Sequence, residues 1–311
     1  MKCVVYRPDA SYDWNEFVKS SRTSLFLFNR SFMDYHADRF QDASVMFYDN
    51  EKLVAVFPAS LHGDILISHG GLTFGGILFN TKVRADTALD VFDSLVTHAR
   101  LIGCSKIIYK AIPYIFASQG SQEDLYALTR IGAVLVRRDL SSVIHLDNRP
   151  KLSKGRKWLI ARATKIGLQV DTSDDWEGFH TLLASALQRH GASPIHSAAE
   201  LRLLQSRFPH NIELKVIRHE GQLVAGAVLF RFGYVTHTQY LATNNEGKEI
   251  GALDALIEMC IKESEARGEK FFSFGISTEN AGKTLNSGLI NQKENFGARG
   301  LVLDFYEINI T

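Results

Sequence analysis

Glu213-Leu-Lys-Val-Ile217, Leu223-Val-Ala-Gly-Ala-Val-Leu-Phe230 and Tyr234-Val-Thr-His-Thr-Gln-Tyr240 follow one another as apolar or alternating runs, with the turn residues His219-Glu-Gly-Gln222 between the first two. Short β-branched and aromatic runs broken by glycine read as antiparallel strands of a hairpin-rich sheet. Downstream, the apolar spacing predicts a helix from about Glu249 to Arg267, a stop at Gly268, a strand Lys270-Phe-Phe-Ser-Phe274 and a terminal strand from Leu301 to Ile308.

The same order of elements occurs earlier in the chain. Ser44-Val-Met-Phe-Tyr48, a turn at Asp49-Asn-Glu-Lys52, and Leu53-Val-Ala-Val-Phe57 form a strand–turn–strand unit, followed by a short strand from Ile65 to Ser68. A helix from about Ala85 to Leu101, a stop at Gly103, a strand Lys106-Ile-Ile-Tyr109, a helix from Gln122 to Arg130 and a strand from Ala133 to Val136 complete it. The two segments lie roughly 165–170 positions apart, as a duplicated unit requires. The expected fold class is therefore α/β (α+β), with two copies of one domain, each a mixed, mostly antiparallel sheet flanked by helices. The turn-rich break Asp147-Asn-Arg-Pro150 sets the boundary near 148, giving domains 1–148 and 149–311. Three helices are predicted ahead of the second sheet: Lys154 to Ile166, Asp175 to His190, and Ser197 to Phe208 with Ser197 and Glu200 as a capping box.

A chain of 311 residues with 45% apolar and 22% charged residues and only six prolines is that of a globular protein, which excludes low complexity and disorder. Lys plus Arg number 35 against 34 Asp plus Glu, so no overall positive field gathers nucleic acid or an anionic membrane, although a local basic patch remains open. No apolar run approaches the ~20 residues of a membrane helix, and no secretory signal opens the chain, so a cytoplasmic, unanchored protein is expected. Cys3, Cys104 and Cys260 form no metal-ligand spacing, and neither a disulfide nor a metal is expected.

The sequence holds no GxSxG, GxxxxGK[ST] or HExxH motif, and no GxGxxG after a strand. Polar residues instead gather at predicted strand ends, where open α/β sheets form their sites. Alternation puts His237 and Gln239 on one face of a strand and Thr236, Thr238 and Tyr240 on the other. His237 reads either as part of a solvated face or, with an ordinary pKa of ~6.5, as a proton acceptor. In Phe274-Gly-Ile-Ser-Thr-Glu-Asn280, Ser277 and Thr278 read as helix caps or ligands, and Glu279 as a base if it lies in a partly buried cleft. Asn286 and Lys293 lie in an amide-rich run, the lysine as a surface charge or as a compact cation for an oxyanion or phosphate. Ser68-His-Gly-Gly-Leu-Thr-Phe-Gly-Gly76 follows a strand, its glycines serving tight turns or close ligand approach. Tyr109 and Lys110 end the matching strand, and His36 and Arg39 stand one turn apart in a helical stretch. Lys154-Gly-Arg-Lys-Trp158 opens a basic helix, a solvated face or, through Arg156, a ligand for an anionic substrate.

Taken together, Leu223-Val-Ala-Gly226, the helix after Glu246-Gly247, the strand Phe271-Phe-Ser-Phe-Gly275 and the closing Lys293-Glu-Asn-Phe-Gly297 resemble the FemAB-like branch of the GNAT acyltransferases, proteins with two tandem GNAT domains. The resemblance spans nearly the whole chain. Ser68 to Gly76, Tyr109 to Pro113, His237 to Tyr240, Phe274 to Glu279 and Asn286 to Arg299 are similar to an uncharacterised bacterial group in that branch, GNAT N-acetyltransferases associated with surface polysaccharide synthesis.

The resemblance implies transfer of an acyl group, expected to be acetyl, from acyl-CoA as co-substrate to an amine of a sugar or cell-envelope precursor. Lys293 matches the lysine that FemAB-type enzymes place at the reacting carbonyl, and Arg156 loosely matches a phosphate-binding arginine. His237 or Glu279 is expected to deprotonate the acceptor, while Gln239, Tyr240, Ser277 and Asn286 orient it and His69, Tyr109 and Lys110 line a far wall. Gly247, Lys248, Gly251 and Ala252, at the start of the long helix, replace the [QR]xxGx[GA] donor-phosphate pattern. The expected partner is a small-molecule, nucleotide-sugar or lipid-linked precursor. The absence of a charged heptad arm speaks against tRNA, which enters only in an alternative, aminoacyl-tRNA-dependent reading. A non-catalytic, degenerate GNAT module that binds an envelope precursor is the other alternative.

Overall fold

A computed structural model describes residues 1–189 and 191–310. It divides into two compact units: the first takes residues 1–140, 279–284 and the chain from Val302 onward; the second takes 141–278 and 285–301. The division therefore does not run at a single point near 148. Phe305–Asn309 of the terminal strand pair antiparallel with Lys106–Lys110, and this ladder carries the C-terminal residues into the first unit.

In the first unit, strands Lys2–Val5, Val45–Asp49, Lys52–Phe57 and Leu78–Phe79 form an antiparallel sheet. Asn50 and Glu51 both have positive φ, which closes the predicted hairpin turn. Strand Ile65–Ile67 runs parallel to Lys106–Lys110, and the intervening helix Ala85–Leu101 makes the crossover. That helix buries Ala88, Val91, Phe92, Leu95 and Ala99, the stripe its apolar spacing dictates, against Phe47, Phe57 and Tyr109.

In the second unit, strands Ile212–His219, Gln222–Arg231 and Val235–Thr243 form the predicted meander. Helix Trp176–Gln188 lies against it, and Gly226 is needed there because a Cβ would stand 2.6 Å from the Phe179 ring. The N-cap of this helix is Asp175, the first residue of the predicted helix, and His190, the predicted last residue, lies outside the described residues. Helix Ala198–Arg207 carries the full Ser197–Glu200 capping box. Strand Phe271–Ile276 returns parallel to Val235–Thr243.

Two elements differ from the sequence reading. The predicted Glu249–Arg267 helix is two helices, Asn245–Ile250 and Ala252–Ala266, broken at Gly251, whose φ is 76°. A side chain at 251 would meet the Leu159 carbonyl of helix Lys154–Lys165, so the break lets the two helices close. The strand expected over Ala133–Val136 runs on from Val134 to His145. Among the described residues no helix is long and apolar enough to cross a membrane.

Candidate active site

The parallel pair of the second unit is registered only at Val235–Phe271, Thr236–Phe272 and His237–Ser273. Each strand then bulges. Tyr240 faces Val228 while Thr238 faces Leu229, which leaves Gln239 as the extra residue on one strand. Opposite Val143 to Ser141, Ser273 to Ile276 also carries one residue too many, with Gly275 at φ 73°. Bulges bend a strand and re-aim its side chains. The strict alternation expected from Thr236 to Tyr240 therefore stops at Gln239, and the two strands part beyond His237.

A cavity of about 250 Å³ lies where they part. Leu241, Ala242 and Thr243 wall it on one side and Phe274 on the other, with Leu253 and Ile257 of the long helix, Phe296, and Lys248, Arg189 and Lys293 as its cations. Arg189 is held in place by donating to the Thr243 carbonyl at 3.1 Å and to Asn245 Oδ1 at 2.9 Å.

Lys293 is on helix Ser287–Glu294, which Asn286 caps by accepting from Leu289 N at 2.9 Å. The ammonium is buried, 5% exposed, and donates to the carbonyls of Gly275 (2.9 Å) and Ile276 (2.7 Å) and to Ser277 Oγ (2.8 Å). Burial pulls its pKa down to about 7, so both protonation states are populated near neutrality. His237 Nδ1 is 3.1 Å from Ser273 Oγ, and a Cβ at Gly275 would press on its ring at 3.3 Å. Burial first, then the positive charge of Lys293, pulls its pKa to about 4, so the imidazole is neutral at pH 7. Tyr240 OH pairs at 2.7 Å with His196 Nδ1, and burial raises its pKa.

His237, Ser277 and Asn286 are thus brought near Lys293, and of the predicted residues Lys293 and Lys248 line the cavity. Gln239 and Tyr240 follow His237 on its strand, and the remaining predicted residues sit elsewhere. Glu279 is exposed and belongs to the first unit, so the buried cleft its role as a base presupposes is not there. Arg156 pairs with Asp254 and lies over the Phe296 ring at 5.1 Å. Gly247 N is taken by the Asn244 cap at 2.7 Å, and a side chain at 247 would meet the Val224 carbonyl. Ala252 is a core residue beside Leu256 and Phe272. Gly247, Gly251 and Ala252 therefore serve helix packing.

In the first unit, Tyr109 is fully buried, donating to Asp124 at 2.9 Å and accepting from Ile77 N at 3.0 Å. Gly76 lies over its hydroxyl, and Gly70 and Gly71 make room for His62 and His36, so these glycines meet side chains of the fold. His36 and Arg39 lie at a 3-10 turn, Asp34–His36, and just after it. Lys110 donates to the carbonyls of His69 (2.9 Å) and Leu72 (2.7 Å), and burial lowers its pKa to about 8. His69 is buried, its pKa pulled to about 3 by burial and by the neighbouring His36.

Sequence reasoning missed Arg189, Phe274, Gln292 and Phe296 as wall residues, and Ser273 and His196 as partners of His237 and Tyr240. Ser273 had a signal, a lone hydroxyl in the aromatic run Phe271-Phe-Ser-Phe274. Arg189 had none, since it meets the strand end only through the fold.

Residues 147–281 match the acetyltransferase (GNAT) domain family. No curated protein matches the chain. Among solved structures, FemX superposes with a TM-score of 0.70 at 12% identity, covering 98% of this chain and 97% of its own. The C-terminal domain of a putative lysylphosphatidylglycerol synthetase from Agrobacterium fabrum gives 0.65 at 13% identity, covering 97% and 92%. A tandem GNAT protein from the clavulanic acid biosynthesis pathway gives 0.53 at 10%, covering 100% and 98%. The chain thus has the expected tandem GNAT fold, seen in FemX and the clavulanic acid pathway protein, and residues 147–281 are similar to a GNAT acetyltransferase domain.

Proposed function

We propose that this tandem GNAT chain is an N-acyltransferase that moves an acyl group, acetyl by first expectation, from acyl-CoA onto an amine of a sugar or cell-envelope precursor, with the donor held in the second unit. The observation that carries this is the opening of the parallel pair past His237–Ser273 over a cavity with Lys293 in its wall. Strand edges that have lost their ladder partner leave backbone donors and acceptors for the amides of the donor's arm, as an added strand would use them. Arg189 and Lys248 supply positive charge to its phosphates.

The acceptor amine attacks the thioester carbonyl as its neutral form, a carbon–nitrogen bond forms, the carbon–sulfur bond breaks, and the thiolate leaves with a proton. In this reading His237, neutral at pH 7, takes the acceptor's proton. Lys293 gives the developing oxyanion a cation in a water-poor setting. Gln239, Tyr240, Ser277 and Asn286 remain the groups for the acceptor.

A non-catalytic module draws support from Gly247, whose amide is occupied by a cap rather than open to phosphate. An aminoacyl donor draws support from the likeness in fold to FemX. Incubation with acetyl-CoA and nucleotide-linked amino sugars, following thiol release alongside calorimetry, separates the three. Thiol release with one coenzyme A bound per chain is expected. Saccharide binding without coenzyme A binding or turnover would establish the module, and turnover only with aminoacyl-tRNA would establish the aminoacyl donor.

A further inference from the structure

Between Asp147 and Asp171 the chain has seven Lys and Arg and no Asp or Glu, although the whole chain carries a net charge of only +1. Most of this charge lies on helix Lys154–Lys165. Its inner face is accounted for: Arg156 pairs with Asp254, Ala163 is buried, and Leu159 abuts Gly251. Arg149, just ahead of the helix, pairs with Glu258.

The outer face is different. Lys154, Trp158, Arg162 and Lys165 recur at four-, four- and three-residue steps, which places them in one stripe, with Lys157 on its flank and Lys151 just ahead of the helix. All six are exposed and form no ion pair among the described residues. Trp158 is 60% exposed and Ile166, which ends the helix, 46%. The Arg162 guanidinium lies 5.5 Å over the Trp158 ring.

We infer that this face of the helix docks the protein on an anionic lipid surface. The charge is complementary to such a surface, and each Lys or Arg brought to it adds attraction within a Debye length. Lys and Arg stems reach headgroups while their methylenes lie along apolar matter, and an indole sits with its ring in the interface and its N–H in water. The shape also fits: a twelve-residue helix presents a convex stripe of ~18 Å to a flat partner. A single-stranded nucleic acid would instead call for a groove with successive aromatic platforms, whereas this face has one ring, already covered on one side by Arg162.

The test uses the full chain with vesicles of phosphatidylcholine alone and vesicles containing about one third phosphatidylglycerol, sedimented at low and high salt. The anionic vesicles are expected to carry the protein down at low salt and release it at high salt, and the neutral ones not to bind it. The combined variant Lys154→Gln, Lys157→Gln, Lys165→Gln is expected to weaken binding ~10²-fold. Trp14 and Trp176 are buried, so a blue shift of emission on the vesicles reports Trp158, and Trp158→Ala should remove it. None of these four side chains lines the cavity, so melting temperature and coenzyme A binding serve as folding controls. No partition into anionic vesicles, equal partition of the triple variant, or tighter binding of a single-stranded oligonucleotide that strips the protein from vesicles would overturn the inference. Vesicle binding without coenzyme A binding would leave it standing and remove the acyl-CoA reading alone.

Discussion

The two units each contain a parallel strand pair and a buried lysine beside it, yet treat the end of the pair in opposite ways. In the first, past Ile67–Ile108, the chain goes on bonding across the gap: Ser68 N donates to the Ile108 carbonyl at 2.9 Å, Lys110 N to Ser68 Oγ at 2.8 Å, and Gly75 N to the Lys110 carbonyl at 3.1 Å. Lys110 then ties His69 and Leu72 to the same place. In the second, pairing ends at His237–Ser273 and the bulges at Gln239 and Gly275 turn the strands apart over a cavity. The two units thus each bury a lysine, on a strand in the first and on a helix in the second, while only the second keeps an open strand edge. Lys110 is a stitch, and Lys293 is a wall of a cleft.

The contrast breaks most sharply at the lysines. Lys293→Met is expected to lower kcat by ~10²–10³, the cost of removing one group that stabilises the oxyanion, with Lys110→Met within about twofold of the parent. Equal losses in the two variants would erase the distinction. Lys110→Met should instead lower stability by ~1–2 kcal/mol in urea unfolding, because two buried carbonyls lose their donor.

A smaller effect belongs to the histidines. His237→Ala should lower turnover by ~10²-fold if the imidazole takes the acceptor's proton, and an unchanged rate would return it to a packing role.

A further effect is thermodynamic and shared by both units. The folded chain holds the Lys293 proton with a pKa of about 7 and that of Lys110 with about 8, against 10.5 for ordinary lysine. The unfolded state therefore binds more protons between those limits. Stability on their account is fully present above about 10.5 and is lost as pH falls towards 7. Urea midpoints between pH 7 and 10 should rise, and Lys293→Met should flatten the rise more than Lys110→Met.

Much of the fold was legible locally. The hairpin at His219–Gln222 has Glu220 and Gly221 at positive φ, and the Ala85–Leu101 helix lies where its stripe put it, because period and turn chemistry act within a few residues. The candidate site was legible only in part. Lys293 and His237 stood out by residue type, whereas Glu279 was chosen for a burial that the chain does not provide and Arg156 for a charge that Asp254 already answers. Burial and pairing are long-range, so no window of sequence contains them.

By itself the sequence determined the duplication, the order of strands and helices, and the absence of a net field over a chain of nearly balanced charge. Those are properties of spacing and composition. Only the tertiary structure decided that the terminal strand returns to the first unit, that the strands part at Gln239 and Gly275, and that an uncompensated basic stripe surrounds Trp158 on an exposed helix face. The physical reason is the same in each case. Register, bulges and exposure are set by what distant residues do to one another's hydrogen bonds and solvent, and each appears only once the chain has closed on itself.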